Sequence, residues 1–130
     1  MEQERILIVD DDPDITEAMK VVLENKGYKV DSALEGDEAL DKIESFKPDL
    51  IILDVMMKTL REGFLLSQEL KKDSKYKKIP ILMISAVREK TGIDFASVAG
   101  DEDWLPVEGF LDKPVKPEVL LEKVQTLLNQ

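Results

Sequence analysis

The run Ile6-Leu7-Ile8-Val9-Asp10-Asp11-Asp12 decides the fold. Four consecutive apolar residues stopped by acids are too few for a buried helix. They suit a short strand covered on both faces, the kind found in parallel sheets. The pattern returns three times: Leu50-Ile51-Ile52-Leu53 ends in Asp54, Ile81-Leu82-Met83-Ile84 ends in Ser85, and Phe110-Leu111 leads to Asp112-Lys113-Pro114. Ligands of open α/β sheets bind outside the carboxyl ends of the strands. Carboxylates, a hydroxyl and a lysine should therefore share one rim, a set suited to a metal ion and a phosphate.

Helical spacing fills the gaps between these runs. Asp12 is a plausible N-cap with Pro13 in the first turn, followed by Ile15, Ala18, Met19, Val22 and Leu23 as an apolar stripe and Gly27 as the stop. Tyr28 to Ala33 alternates and is polar enough for an edge strand. Residues 36–46 place Ala39, Leu40 and Ile43 on one face before Pro48 ends the segment. A helix is expected from about Glu62 to Lys72 on Phe64, Leu65 and Leu70, then a polar connection to Lys78. The last helix begins near Pro117, with Val119, Leu120, Val124, Leu127 and Leu128 inward. Strands and helices alternate throughout, which predicts a doubly wound α/β fold.

Residues 86–109 break the pattern. They contain Gly92, Gly100 and Pro106 and no sustained helical stripe, although a parallel crossover calls for a helix here. The sequence predicts at most a short helix near Asp94 to Ala99 in a long, irregular connection, and such connections are often functional.

At 130 residues the chain fits one domain, 1–130, and no output domain is expected to follow Gln130. The net charge of −10 argues against nucleic acid or an anionic membrane as partner. With no Cys and no His, thiolate sites and the usual general base are absent, and chemistry falls to carboxylates, hydroxyls, lysines or a bound ion. Met1-Glu2-Gln3-Glu4 has the wrong charge for a signal peptide, and the longest apolar stretch falls short of the roughly 18 residues of a membrane span. A cytoplasmic protein is expected.

In the strand order 2-1-3-4-5, Asp10, Asp11 and Asp54 face one another. Carboxylates that close repel one another, so the cluster makes sense around a cation, and oxygen-only ligation beside phosphate favours Mg²⁺. Asp54, alone at its strand end, is the best nucleophile for an aspartyl phosphate. Asp10 and Asp11 read as metal ligands, while Lys113 and Ser85 can meet phosphoryl oxygens. Singly, each has an ordinary explanation: a strand-end Asp often caps a helix, as Asp12 does here, Lys-Pro marks a turn, and a lone Ser says nothing. Their recurrence in register is the signal.

Over essentially its full length the chain resembles the receiver domain of two-component response regulators, of the stand-alone chemotaxis type. The resemblance rests on Ile6 to Asp12, Asp54-Val55-Met56-Met57, Ile84-Ser85-Ala86 and Phe110 to Pro114. It implies a flavodoxin-like sheet of five parallel strands and makes Asp54 the acceptor of a phosphoryl group from a histidine kinase or phosphotransfer protein. Mg²⁺ would be held by Asp10, Asp11, Asp54 and the backbone carbonyl of Met56. Ser85 and Phe110 stand at the switch positions, Lys113 at the family's lysine position, and Lys113–Pro114 is expected to be cis, as is common in the family. The phosphorylated form would act on a downstream protein, as a monomer or weak dimer, catalysing only its own phosphorylation and dephosphorylation.

Two departures stand out. Lys58 replaces the usual Pro, in a loop about one residue longer than the common version. Residues 86 to 109 are several residues longer than usual, where receivers carry their fourth helix. Two other readings compete: a small haloacid-dehalogenase-like phosphatase using Asp10-x-Asp12, and a receiver that binds partners without phosphorylation. The first lacks a well-placed second acidic pair beyond Asp101-Glu102-Asp103, and the intact Asp10, Asp11, Asp54 and Lys113 weigh against the second.

Overall fold

The computed structural model describes residues 4–10, 12–54, 68–85, 109–112 and 116–129, with Asp54, Ser85, Phe110 and Asp112 given by their backbone. The strands are β1 (Arg5–Val9), β2 (Lys29–Ala33), β3 (Leu50–Asp54), β4 (Ile81–Ser85) and β5 (Gly109–Asp112). Three long helices are described: α1 (Pro13–Glu24), α2 (Gly36–Phe46) and α3 (Pro117–Leu128). All strand pairs are parallel, in the order β2-β1-β3-β4-β5. This is a flavodoxin-like α/β sheet, with β2 at an edge as its polar alternation predicts.

Period-two alternation splits the central strands between two cores. Leu7, Val9, Ile51, Leu53, Ile81 and Met83 pack with Ala39 and Ile43 of α2 on one face. Ile6, Ile8, Leu50, Ile52, Leu82 and Ile84 pack with Leu23 of α1 and Leu120, Val124 and Leu127 of α3 on the other. Both faces are covered, so the strands read as unbroken apolar runs. Burying each such side chain stabilises the fold by about 1.5–3 kcal/mol before entropy is counted.

Two predicted helix faces are corrected. In α1, Thr16 is buried and Ala18 is exposed. The Thr16 hydroxyl donates to the Asp12 carbonyl at 2.9 Å, which satisfies it and lets a polar side chain enter the interface. In α3, Val119 is 42% exposed, while Leu121 packs against the core. The inward face follows Leu120, Val124 and Leu127 at helical spacing and rotates Val119 out.

Other boundaries follow local chemistry. Gly27 adopts φ 92°, a left-handed conformation natural to glycine, and its N–H donates to the Glu24 carbonyl at 3.0 Å as the chain leaves α1. α2 ends at Phe46, two residues before Pro48, with Lys47 between them left-handed at φ 54°. Residues 68–72 are helical, with Leu70 buried, in agreement with the end of the predicted helix. Phe64 and Leu65, the loop from Lys58 to Gly63, the Lys113–Pro114 peptide and the long connection up to residue 108 lie outside the described residues. Gly109, read as the end of that connection, already belongs to β5.

Candidate functional site

The register of the sheet assembles the rim. Val9 pairs with Leu53, so the next step along both strands sets Asp10 beside Asp54. Asp54 pairs with Ile84, one residue before Ser85, and Ser85 pairs with Asp112. Neighbouring strands are about 4.8 Å apart. The backbone thus brings Asp10, Asp54, Ser85 and Asp112 to the carboxyl edge of four adjacent strands. Asp11, Met56 and Lys113 lie outside the described residues, and Phe110 is in β5, paired with Met83.

Asp10 shows how the sequence turns from strand to helix. Its N–H donates to the Ala33 carbonyl at 3.1 Å, extending the β1–β2 pairing to the rim. Asp10 is 2% exposed, and its carboxylate accepts the Asp12 N–H on Oδ1 at 2.9 Å. The Asp12 carboxylate in turn accepts the N–H groups of Asp14 at 3.0 Å and Ile15 at 3.3 Å, capping α1 as predicted. One acid makes the turn and another makes the cap. Thr16 completes the corner by bonding back to the Asp12 carbonyl, a role the apolar-stripe reading missed. The four-residue spacing from Asp12 to Thr16 was the available signal.

A carboxylate buried at a strand end is costly unless hydrogen bonds or a cation compensate it. Oxygen donors without imidazole or thiolate fit a hard divalent ion such as Mg²⁺ and disfavour softer metals. Among the described residues no group of three acidic side chains converges to hold a metal; the side chains of Asp11 and Asp54 are not among them.

Fold and rim define the class: a flavodoxin-like α/β domain with acids gathered at the carboxyl edge of its parallel sheet. The model of the response regulator receiver domain matches residues 6–125, and the chain belongs to that family. It is 39% identical over 130 residues to the response regulator MprA of Mycolicibacterium vanbaalenii, covering 97% of this chain and 51% of the relative. It is 36% identical over 126 residues to the alkaline phosphatase synthesis transcriptional regulatory protein PhoP of Bacillus subtilis, covering 97% and 49%. The chain spans about half the length of these curated relatives.

Among solved structures it is similar to a CheY-like receiver domain protein from Methanospirillum hungatei, with a TM-score of 0.82, 30% identity, and 98% and 95% of the two chains covered. It is also similar to the chemotaxis response regulator CheY4 of Vibrio cholerae, with a TM-score of 0.78, 33% identity, and 97% and 99% covered. The protein is thus a receiver domain of the two-component class, a signalling module. No helix among its described residues is long and apolar enough to cross a membrane.

Proposed function

We propose that Asp54 is the phosphoacceptor, taking its phosphoryl group from a histidine kinase or phosphotransfer protein. The observation that carries this reading is the register setting Asp10 beside Asp54, with Ser85 one step along the next strand. A carboxylate oxygen of Asp54 attacks phosphorus, the bond from phosphorus to the donor breaks, and an acyl phosphate remains on the chain. Lys113 pairs with a phosphoryl oxygen as a point charge, and Ser85 donates a hydrogen bond to another. Asp10, Asp11, Asp54 and the Met56 carbonyl would hold Mg²⁺. The ion supplies charge neutralisation for the transferring group when bound.

Ser85 stands at the end of β4 and Phe110 in the neighbouring β5, so a hydroxyl drawn toward a new phosphoryl group would pull on strands that are paired to each other. We assign these two residues the switch that changes binding of a downstream protein. The acceptor chemistry would be confined to the domain's own phosphorylation and dephosphorylation.

Incubation with acetyl phosphate and Mg²⁺, followed by intact mass, tests the assignment. A base-labile phosphoryl adduct that maps to Asp54 and vanishes with chelator is expected. A chain that takes no adduct yet binds its partners would instead be a receiver working without phosphorylation.

A further inference from the structure

The strongest feature unused by the rim chemistry lies at the opposite, amino end of the sheet. Residues 71–78 read Lys-Lys-Asp-Ser-Lys-Tyr-Lys-Lys. They hold five of the chain's 18 basic residues and one of its 28 acidic ones, so the segment carries +4 and the remainder −14.

This segment is built, not loose. The Asp73 carbonyl accepts the N–H groups of Tyr76 at 3.0 Å and Lys77 at 2.9 Å, and the Asp73 carboxylate accepts the Lys75 N–H at 2.8 Å. Lys71 Nζ donates to the carbonyls of Lys77 at 3.2 Å and Ile79 at 2.9 Å. One lysine is thus spent on holding the turn, while Lys72, Lys75, Lys77 and Lys78 are exposed. Among the described residues none of those four ammonium groups is paired with a carboxylate.

Beside the turn is a groove of about 390 Å³ lined by Ile43, Lys47, Pro48, Lys75, Tyr76 and Ile79, with Glu44 on one wall. Its floor is apolar, and two exposed lysines stand on its rim. Tyr76 and Ile79 are anchored in the core beneath, so the shape is fixed by packing. An apolar floor selects an apolar side chain, and a cationic rim selects carboxylates on either side of it.

We propose that this groove and its lysine rim dock a segment of a partner protein in which apolar side chains are interspersed with aspartate and glutamate. A long polyanion fits less well. It offers nothing to the apolar floor, and along its length it meets the −14 of the remaining surface, which a short segment avoids. The site is remote from the acceptor rim and independent of phosphorylation.

The test is a titration of the ¹⁵N-labelled protein, with no phosphoryl donor, by a short synthetic peptide of aspartate, glutamate and interspersed leucines. Amide shifts should concentrate at residues 43–48 and 71–79, and affinity should fall as salt is raised. The double change Lys47→Glu/Lys75→Glu should weaken binding at least about tenfold, with the single Lys75→Glu between it and the parent. Both lysines are exposed, so an unchanged circular dichroism spectrum is expected of each variant. The proposal is overturned by shifts confined to other faces, by equal binding of a leucine-free peptide, or by unchanged affinity in the double variant. Tighter binding of a single-stranded DNA oligonucleotide would also overturn it.

Discussion

The two ends of the sheet use their charges in opposite ways. At the start of β1 and just before β3, the charged side chains of Arg5 and Asp49 are tied to backbone groups. The Arg5 N–H donates to the Asp49 carboxylate at 2.8 Å, the Asp49 N–H returns to the Arg5 carbonyl at 2.7 Å, and the Arg5 guanidinium donates to the Phe46 carbonyl at 3.0 Å. That guanidinium also lies 5.9 Å from the centre of the Phe46 ring, within cation–π range. At the carboxyl end, the register sets the backbone of Asp10 beside that of Asp54, so acid stands beside acid. Charges bonded to backbone groups hold an edge together, whereas like charges gathered at an edge cost stability and are kept where a ligand compensates them.

The most severe test of this contrast is Asp54→Asn. The change is nearly isosteric and removes one charge from the acidic rim, so phosphoryl incorporation by intact mass should be abolished. The thermal midpoint without metal should hold or rise as repulsion is relieved. Undiminished incorporation would remove Asp54 from the acceptor role. Next in size is Asp11→Ala, for which Mg²⁺ affinity measured by calorimetry should fall about 10–100-fold, with phosphorylation falling in step. Unchanged affinity would return Asp11 to a purely structural part.

At the amino end the effects should be smaller and confined to stability. Asp49→Ala removes the acceptor of the Arg5 N–H at an exposed site, and urea unfolding should show a loss of about 0.5–1 kcal/mol. Phosphorylation should be unaffected. An Asp49→Ala variant impaired in acceptor chemistry would mean that the two ends are coupled through the sheet.

The smallest effect is expected from Asp31→Asn on β2, the edge strand. Burial works to raise the Asp31 carboxyl but is outweighed by the hydrogen bond from Lys42, the Ser32 N–H, and the charges of Lys42 and Lys20. The pKa is therefore lowered from the usual carboxylate value. A lowered folded-state pKa adds stability above the unfolded-state pKa, and that contribution is lost as pH falls through the folded-state value. The Lys42 Nζ lies 3.0 Å from Oδ2 with both side chains about one-third exposed, so the deficit should stay below about 1 kcal/mol at neutral pH. It should vanish in strong acid and shrink with salt. A deficit that persists in acid would show that packing, not charge, was lost.

Much of this was legible in the chain because both periodicities are unbroken where burial is complete. The apolar runs at 6–9, 50–53 and 81–84 are strands since both faces are covered, and Asp12, Pro13 and Gly27 act through local geometry that needs no distant partner. The helix faces of α1 and α3 were read less well. Whether Thr16 or Ala18 points inward, and whether Val119 or Leu121 does, depends on the angle at which each helix meets the sheet. Positions two apart lie on nearly opposite sides of a helix with about 3.6 residues per turn, and the apolar spacing alone did not fix which side meets the sheet.

The sequence by itself determined that there would be a parallel sheet, which polar residues stand at its strand ends, and the resemblance to receivers. These rest on period, capping and motif, all of them local in the chain. Only the tertiary structure decided the register that sets Asp10 beside Asp54, and the turn in which Lys71 is spent while Lys72, Lys75, Lys77 and Lys78 stay exposed. It also decided that Gly109 lies so close under α3 that an added Cβ would come within 2.9 Å of Lys123 and 3.1 Å of Leu82. Register, hydrogen bonding across a turn and helix-to-strand distance join residues far apart in the chain, and close packing selects among arrangements that the sequence pattern alone leaves equivalent.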